Sequence, residues 1–174
     1  NPAQFVYEKF IVDVINGINP NIEVNLYGFQ LSKEINDKLA IDRVNEKLRR
    51  KINIIQYDGS NMNDLIESYY CNSFALKTLF HSLVLSLKAQ HKIISISYNV
   101  KVDNLQQALQ LKNTFISLKQ LKDKRTQIKV VDEINGFFST HIDRKIQINN
   151  NPEFNFEKDA KKHFEYIDNM LGKK

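Results

Sequence analysis

The stretch from Asn104 to Ile142, NLQQALQLKNTFISLKQLKDKRTQIKVVDEINGFFSTHI, constrains the fold more than any other part of the chain. Asp103 or Asn104 caps a short helix carrying Leu105, Ala108 and Leu109, and Lys112-Asn113 interrupts it. A second helix is expected next, with Phe115, Leu118, Leu121 and Lys122 at spacings of three and four. Ile128 to Ile134 and Phe137 to Ile142 then read as β-prone runs joined by Asn135-Gly136. An Asn-Gly pair between two such runs is a strong hairpin signal, because a type I′ turn needs positive φ at both central residues. The expected order is helix, tight turn, helix, β-hairpin. Replacing Gly136 with Val should then cost more than ~1 kcal/mol.

The preceding residues read in a similar order. Asn1 to Gln4 are expected to be a disordered leader. Phe5 to Ile18 form an amphipathic helix with Val6, Phe10, Val14 and Ile18 on one stripe. Ile22 to Tyr27 alternates as a short strand, and Ser32 to Leu39 is a short helix with Leu31, Ile35 and Leu39 inward. Ile41, Val44, Leu48 and Ile52 mark a third helix, and Ile54 to Tyr57 a strand that ends at an Asp58-Gly59 turn. One unbroken helix from Leu31 to Ile55 is the competing reading, since no Gly or Pro interrupts it. Ser60 to Asn63 is the expected boundary between a first domain (1–60) and a second (61–174). The second opens on a long apolar helix from Phe74 to Leu87, with Leu76, Leu79, Phe80, Leu83 and Leu87 buried. A strand from Lys92 to Asp103 follows, placing Ile94, Ile96, Tyr98, Val100 and Val102 against Ser95, Ser97 and Lys101. After a loop at 149–152, Phe156, Ala160, Phe164, Ile167 and Leu171 make a closing amphipathic helix.

Composition excludes some functional classes. The chain has 174 residues and 42% hydrophobic content, enough for packed cores. Its most apolar run, Phe74 to Leu87, is broken by Lys77, Thr78 and His81. It falls short of the roughly 20 residues that a bilayer requires, so no membrane partner is expected. Cys71 stands alone, which leaves no disulfide framework or zinc set and points to a reducing compartment. His81, His91, His141 and His163 lack metal-binding spacing, and there is no Walker loop or GxGxxG. No catalytic residue, metal, cofactor or small-molecule substrate is expected. The net charge of +5 is compatible with a polyanion. Two surfaces could meet one: Arg43, Lys47, Arg49 and Arg50 on the third helix, and Thr114, Ser117, Lys119, Gln120, Lys124 and Arg125 in the second domain. Phe137 and Phe138 at the hairpin tip could stack a base or dock on a protein. The competing readings are a solvated helix face for the cations and simple burial for the two phenylalanines.

This helix-rich α+β order resembles two tandem winged-helix domains, each a helix-turn-helix with a β-hairpin, followed by a C-terminal helix. It is similar to the C-terminal half of the Stn subunit of the CST (Ctc–Stn–Ten) telomere complex in its ciliate, telomerase-associated version. That region also has an elongated first helix in its second domain and a helical tail. The resemblance implies a nuclear, non-enzymatic interaction module of telomere maintenance. Its partners would be telomerase-complex subunits and polymerase α-primase, in support of C-strand fill-in, with secondary contact to G-rich single-stranded or duplex DNA. The alternative is a sequence-specific duplex-DNA reader, such as a plasmid replication initiator or transcription factor.

Overall fold

The computed structural model describes residues 2–30, 37–78, 80–97, 103–104, 107 and 115–140. The chain divides into two compact units, Asn1–Arg144 and Lys145–Lys174, and the described residues all belong to the first. Their order is α1 (Pro2–Gly17), β1 (Asn25–Gly28), α2 (Asp37–Asn45), β2 (Asn53–Gln56), α3 (Met62–Tyr70), β3 (Phe74–Lys77), α4 (Phe80–Lys88), β4 (Lys92–Ser97) and β5 (Phe115–Ser117). A 3-10 turn (Gln120–Lys122) and α5 (Lys124–Thr140) follow. Between β4 and β5, Asp103, Asn104 and Gln107 are helical.

All described strand pairs are parallel. Asn25 pairs with Asn53 in the β1–β2 ladder. Phe74 pairs with Lys92, and Ser95 with Phe115, in a β3–β4–β5 sheet. A parallel neighbour cannot be reached by a tight turn and needs a crossover, which α2 supplies between β1 and β2 and α4 between β3 and β4. No backbone ladder joins β1 to β3, but side chains set them beside each other. Asn25 Nδ2 donates to Asn72 Oδ1 at 2.9 Å, and Asn72 Nδ2 donates to the Tyr27 hydroxyl at 2.9 Å. The β1–β2 and β3–β4–β5 ladders are separate sheets, and these side-chain contacts bring β1 next to the segment that leads into β3.

The two faces of this arrangement differ in chemistry. Side chains alternate along a strand. Leu26, Phe74, Leu76, Ile94, Ile96 and Ile116 share an apolar layer with Phe10, Val14 and Ile18 of α1, Val44 of α2, and Val130 and Ile134 of α5. The opposite phase carries Tyr27, Ala75, Lys77, Ile93, Ser95 and Ser97, facing α3 and α4. There the apolar cluster is small, with Leu83 and Ile93 buried and Leu87 beside them.

The winged-helix order expected for the second half is not the one observed. The residues expected to form a hairpin, Ile128 to Thr140, lie within α5; His141 and Ile142 fall outside the described residues. Val130, Ile134 and Phe138 recur at helical spacing and bury against α1. That burial outweighs the local turn preference of Asn135-Gly136. The expected helix over Phe115 to Lys122 is instead β5 plus the 3-10 turn, because the free edge of β4 offers a parallel slot. The long apolar helix from Phe74 divides into β3 and α4; periodicity alone does not separate a short buried strand from a helix segment. The strand beginning at Lys92 ends at Ser97 among the described residues, and Asp103 is helical.

Further differences fall in the first half. The helix marked by Ile41 to Ile52 ends at Asn45, so Lys47, Arg49 and Arg50 lie beyond it, and 31–55 is not one unbroken helix. Pro2 to Gln4 belong to α1 rather than to a leader. Ser60 to Asn63 lies between β2 and the first turn of α3, and the apolar layer runs across it from Val6 to Phe138. Residues 32–36, 105, 108–109, 112, 114 and the closing helix at 156–171 lie outside the described residues.

The helical α5 reverses one expectation. Gly136 is exposed within the helix, and a Cβ added there would meet nothing within 4 Å. Gly136→Ala should therefore stabilise the protein by about 0.5–1 kcal/mol, by removing a glycine from a helix interior. Urea denaturation checks this. A loss of stability would count against the helix and for a turn at this position.

Candidate ligand-binding cleft

The gap between β1 and β3 is a cleft of about 1090 Å³. Its walls include Tyr27 of β1, Ser68 and Tyr69 of α3, Asn72, Lys77 of β3, and His91 just before β4. The centre of this group is Tyr69, which is 1% exposed. Its hydroxyl donates to the Ser82 carbonyl at 2.9 Å and shares a hydrogen bond with Ser86 Oγ at 2.5 Å. Its ring meets Tyr27 edge-on at 5.1 Å between centroids, Phe29 at 5.7 Å and His91 at 5.2 Å. The Tyr27 hydroxyl in turn exchanges a hydrogen bond with Ser68 Oγ at 3.0 Å.

Lys77 ends β3 with its Nζ 4.1 Å from the centroid of the Tyr69 ring and 5.8 Å from that of Tyr27. Among the described residues it has no carboxylate partner. Burial lowers its amine to about 7. Burial first, and then the charge of Lys77, lowers His91 to about 4, so the imidazole is neutral near pH 7. Neither His91 ring nitrogen meets hydrogen-bond geometry with a described group, although the Tyr70 backbone favours its protonated form. Burial also raises the Tyr69 hydroxyl above its ordinary value.

These groups are costly to keep in an apolar setting. An unsatisfied buried polar group costs roughly 1–3 kcal/mol, and an unpaired buried charge costs more. The α1 face of the same strands shows that this chain can build an ordinary apolar layer. A lysine and a buried histidine around a tyrosine lattice make the opposite side of the cleft its candidate polar site. The aromatic rings could sandwich a planar group. Lys77 could meet an anion or attack an electrophilic carbon, and Asn72 and Tyr27 could direct hydrogen bonds.

The carboxyl end of β1 limits where an anion could sit. A Cβ on Gly28 would lie 2.8 Å from Ile41 Cδ1 and 3.3 Å from Asp37 Cβ, so the strand end packs directly on α2. The next backbone N–H groups, of Phe29 and Gln30, both donate to Asp37 Oδ2 at 2.9 Å. Backbone amides following a first strand are the usual phosphate cradle in such folds. Here a carboxylate already occupies them, and among the described residues Lys77 is the cation that lines the cleft.

The residues nominated from sequence are scattered. The Arg43 guanidinium grips Glu8 of α1, with Nη2 2.6 Å from Oε1 and Nε 3.0 Å from Oε2, and holds that carboxyl below its ordinary value. Arg50 donates to the carbonyls of Asn19 at 3.0 Å and Pro20 at 2.9 Å, and also to that of Ile22. Both arginines thus bind their own chain. Lys47 and Arg49 are exposed, and their backbones join Asn16. The Ser117 backbone N–H and Oγ both donate to Gln120 Oε1 at 2.9 Å, so these two residues bind each other. Thr114 lies outside the described residues. Phe137 and Phe138 are half-buried and pack on Phe74, at 5.4 and 6.4 Å between centroids. Lys119, Lys124 and Arg125 are exposed together, with Lys122 and Lys129 nearby.

Among the described residues no cluster of His, Cys, Asp or Glu could hold a metal ion, and no helix is long and apolar enough to cross a membrane. The chain matches no protein-family model, no curated protein and no solved structure.

Proposed function

We propose that the unit spanning 1–144 is a small-ligand-binding α/β module whose ligand enters the cleft between β1 and β3. The observation that carries this reading is the group of aromatic and polar side chains gathered around the Lys77 amine in that cleft. Lys77, Tyr27 and His91 line that cleft. The occupant they suit is a small molecule with an aromatic or apolar body and one polar or anionic head. This reading departs from the expectation of no small-molecule substrate.

The test is protein-observed NMR with phenyl phosphate, adenosine monophosphate and 4-(hydroxymethyl)benzoate as probes. At least one should bind at micromolar to millimolar concentration and shift the amides of Tyr27, Asn72 and Lys77. Shifts confined to other surfaces, or none at all, would overturn the reading.

A second reading keeps the interaction role that the sequence resemblance implied, assembly in a telomere-type complex with secondary DNA contact. One observation favours contact with a polyanion: Lys119, Lys122, Lys124, Arg125 and Lys129 are all exposed around the start of α5. The nearby acid, Asp123, accepts the Arg125 backbone N–H at 2.9 Å. The telomeric assignment itself draws only on the resemblance. Under this reading, affinity for DNA falls by roughly one log unit per log unit of salt for each phosphate contacted. Arg43→Met should leave that affinity unchanged, since its guanidinium is committed to Glu8.

A further inference from the structure

We infer that Lys77 is a nucleophilic amine that captures a carbonyl ligand, an aldehyde or ketone with an aromatic or apolar body, as an imine within the cleft. The inference rests on the ligand-cleft reading and names the chemistry of the cleft's occupant.

Four features of the site support it. Lys77 is the last residue of β3 and lines the cleft. Its amine lies against the faces of Tyr69 and Tyr27, with no carboxylate partner among the described residues. A carboxylate there would hold the amine protonated and mask its lone pair. The cleft of about 1090 Å³ leaves room beside it for a ligand. His91, 4% exposed, lies in the same cleft with its ring 5.2 Å from that of Tyr69. The lowering of the amine to about 7 by burial is consistent with this, because a substantial neutral fraction is then present at neutral pH.

The step balances without any oxidant or reductant. The Lys77 Nζ lone pair attacks the carbonyl carbon, and the carbonyl π electrons move to oxygen. A proton passes from nitrogen to that oxygen to give a carbinolamine. Nitrogen then expels the hydroxyl, which leaves as water after taking a proton, and a C=N bond replaces C=O. The Tyr27 hydroxyl lines the same cleft and is held by Ser68 and Asn72. Solvent supplies that proton and takes up the one that nitrogen releases. The Tyr69 hydroxyl is committed to Ser82 and Ser86.

The test treats the full chain at pH 7 with 4-carboxybenzaldehyde and sodium cyanoborohydride, which reduces any imine to a stable amine, and maps the labelled lysines by peptide mass spectrometry. Lys77 should be labelled at least about tenfold faster than exposed Lys124, in keeping with an activated amine. Lys77→Met and Lys77→Arg should abolish that label and leave the surface labels unchanged. Labelling of Lys77 no faster than Lys124 overturns the inference. The alcohol 4-(hydroxymethyl)benzoate separates the two levels of the argument, because it has the same body and cannot form an imine. If it occupies the cleft while Lys77 stays unlabelled, the imine is wrong and the ligand cleft stands. If it fails to bind and Lys77 is unlabelled, both fall.

Discussion

Phe10→Ala is expected to destabilise the compact unit by about 3–5 kcal/mol, the range for removing a fully buried aromatic ring from a core. Phe10 is 0% exposed and sits in the apolar layer that α1 forms with the strands and with α5. The cost has two parts, the transfer of the lost ring atoms to water and the cavity left where the neighbours cannot fully close. The neighbours here come from both ends of the described chain, since Val44, Ile96, Ile116 and Ile134 belong to the same layer. A single cooperative transition should therefore shift as a whole. In urea, circular dichroism should report one transition moved to lower denaturant with little change in slope. Hydrogen exchange should show the amides of α5 losing protection together with those of α1. A variant that loosens α1 while leaving α5 protected would mean that the halves on either side of Ser60 fold independently.

Much of the first half was legible because its signals are local. The stripe of Phe10, Val14 and Ile18 has one reading at helical spacing, and α1 contains the first two, with Ile18 directly after it. The strand expected at Ile54 to Tyr57 is β2, displaced by one residue. The Asp58-Gly59 turn is present, with Gly59 at φ 101° and Asp58 Oδ1 accepting the N–H groups of Ser60 and Asn61. The second half misled because its elements are decided by their neighbours. The apolar run from Phe74 to Leu87 suits a strand or a helix, and its assignment depends on the free edge of β4. The three residues of β5 carry no strand signal of their own. In α5 the helical recurrence of Val130, Ile134 and Phe138 competes with Asn135-Gly136, and burial against α1 decides. The serines of β4 show the same limit: Ser95 and Ser97 read as a solvent face but are 1% and 7% exposed, because helices cover both sides of the sheet.

The cleft was still less legible. Lys77 drew notice only as an interruption of an apolar run, and His91 only as a residue without metal-ligand spacing. Tyr27 only closed an alternating run, and Tyr69 carried no pattern. The contacts that make them a site, such as Tyr27 with Ser68, join residues 41 apart in sequence. They exist only because α3 carries the chain past β1 on its way to β3. Conversely, Arg43 and Arg50 looked like free cations, since no sequence pattern announces a buried acceptor such as Glu8 or a row of loop carbonyls. A lone lysine inside an otherwise apolar run, followed by Thr and then by helix, is the one signal that could have marked the end of a buried strand at a site.

Tyr69→Ala tests whether that polar face is part of the folded core or a loosely held surface. The ring is nearly as buried as Phe10 and touches Tyr27, Phe29, His91 and Lys77, so its loss should cost about 3–5 kcal/mol. Tyr69→Phe separates packing from hydrogen bonding. It keeps the ring and removes the hydroxyl, which leaves Ser86, 0% exposed, without the bond it shares with Tyr69, at a cost of about 1–3 kcal/mol. The ratio of the two losses is the informative quantity. A large cost for Ala with a small one for Phe makes Tyr69 a packing residue that walls the cleft. Comparable costs would make the Ser82–Ser86 hydrogen bonds the tie between α3 and α4. If Tyr69→Ala costs under about 1 kcal/mol, as surface substitutions do, the cleft wall is not held in place. Lys77 would then lose the surroundings on which its burial and its reactivity both depend.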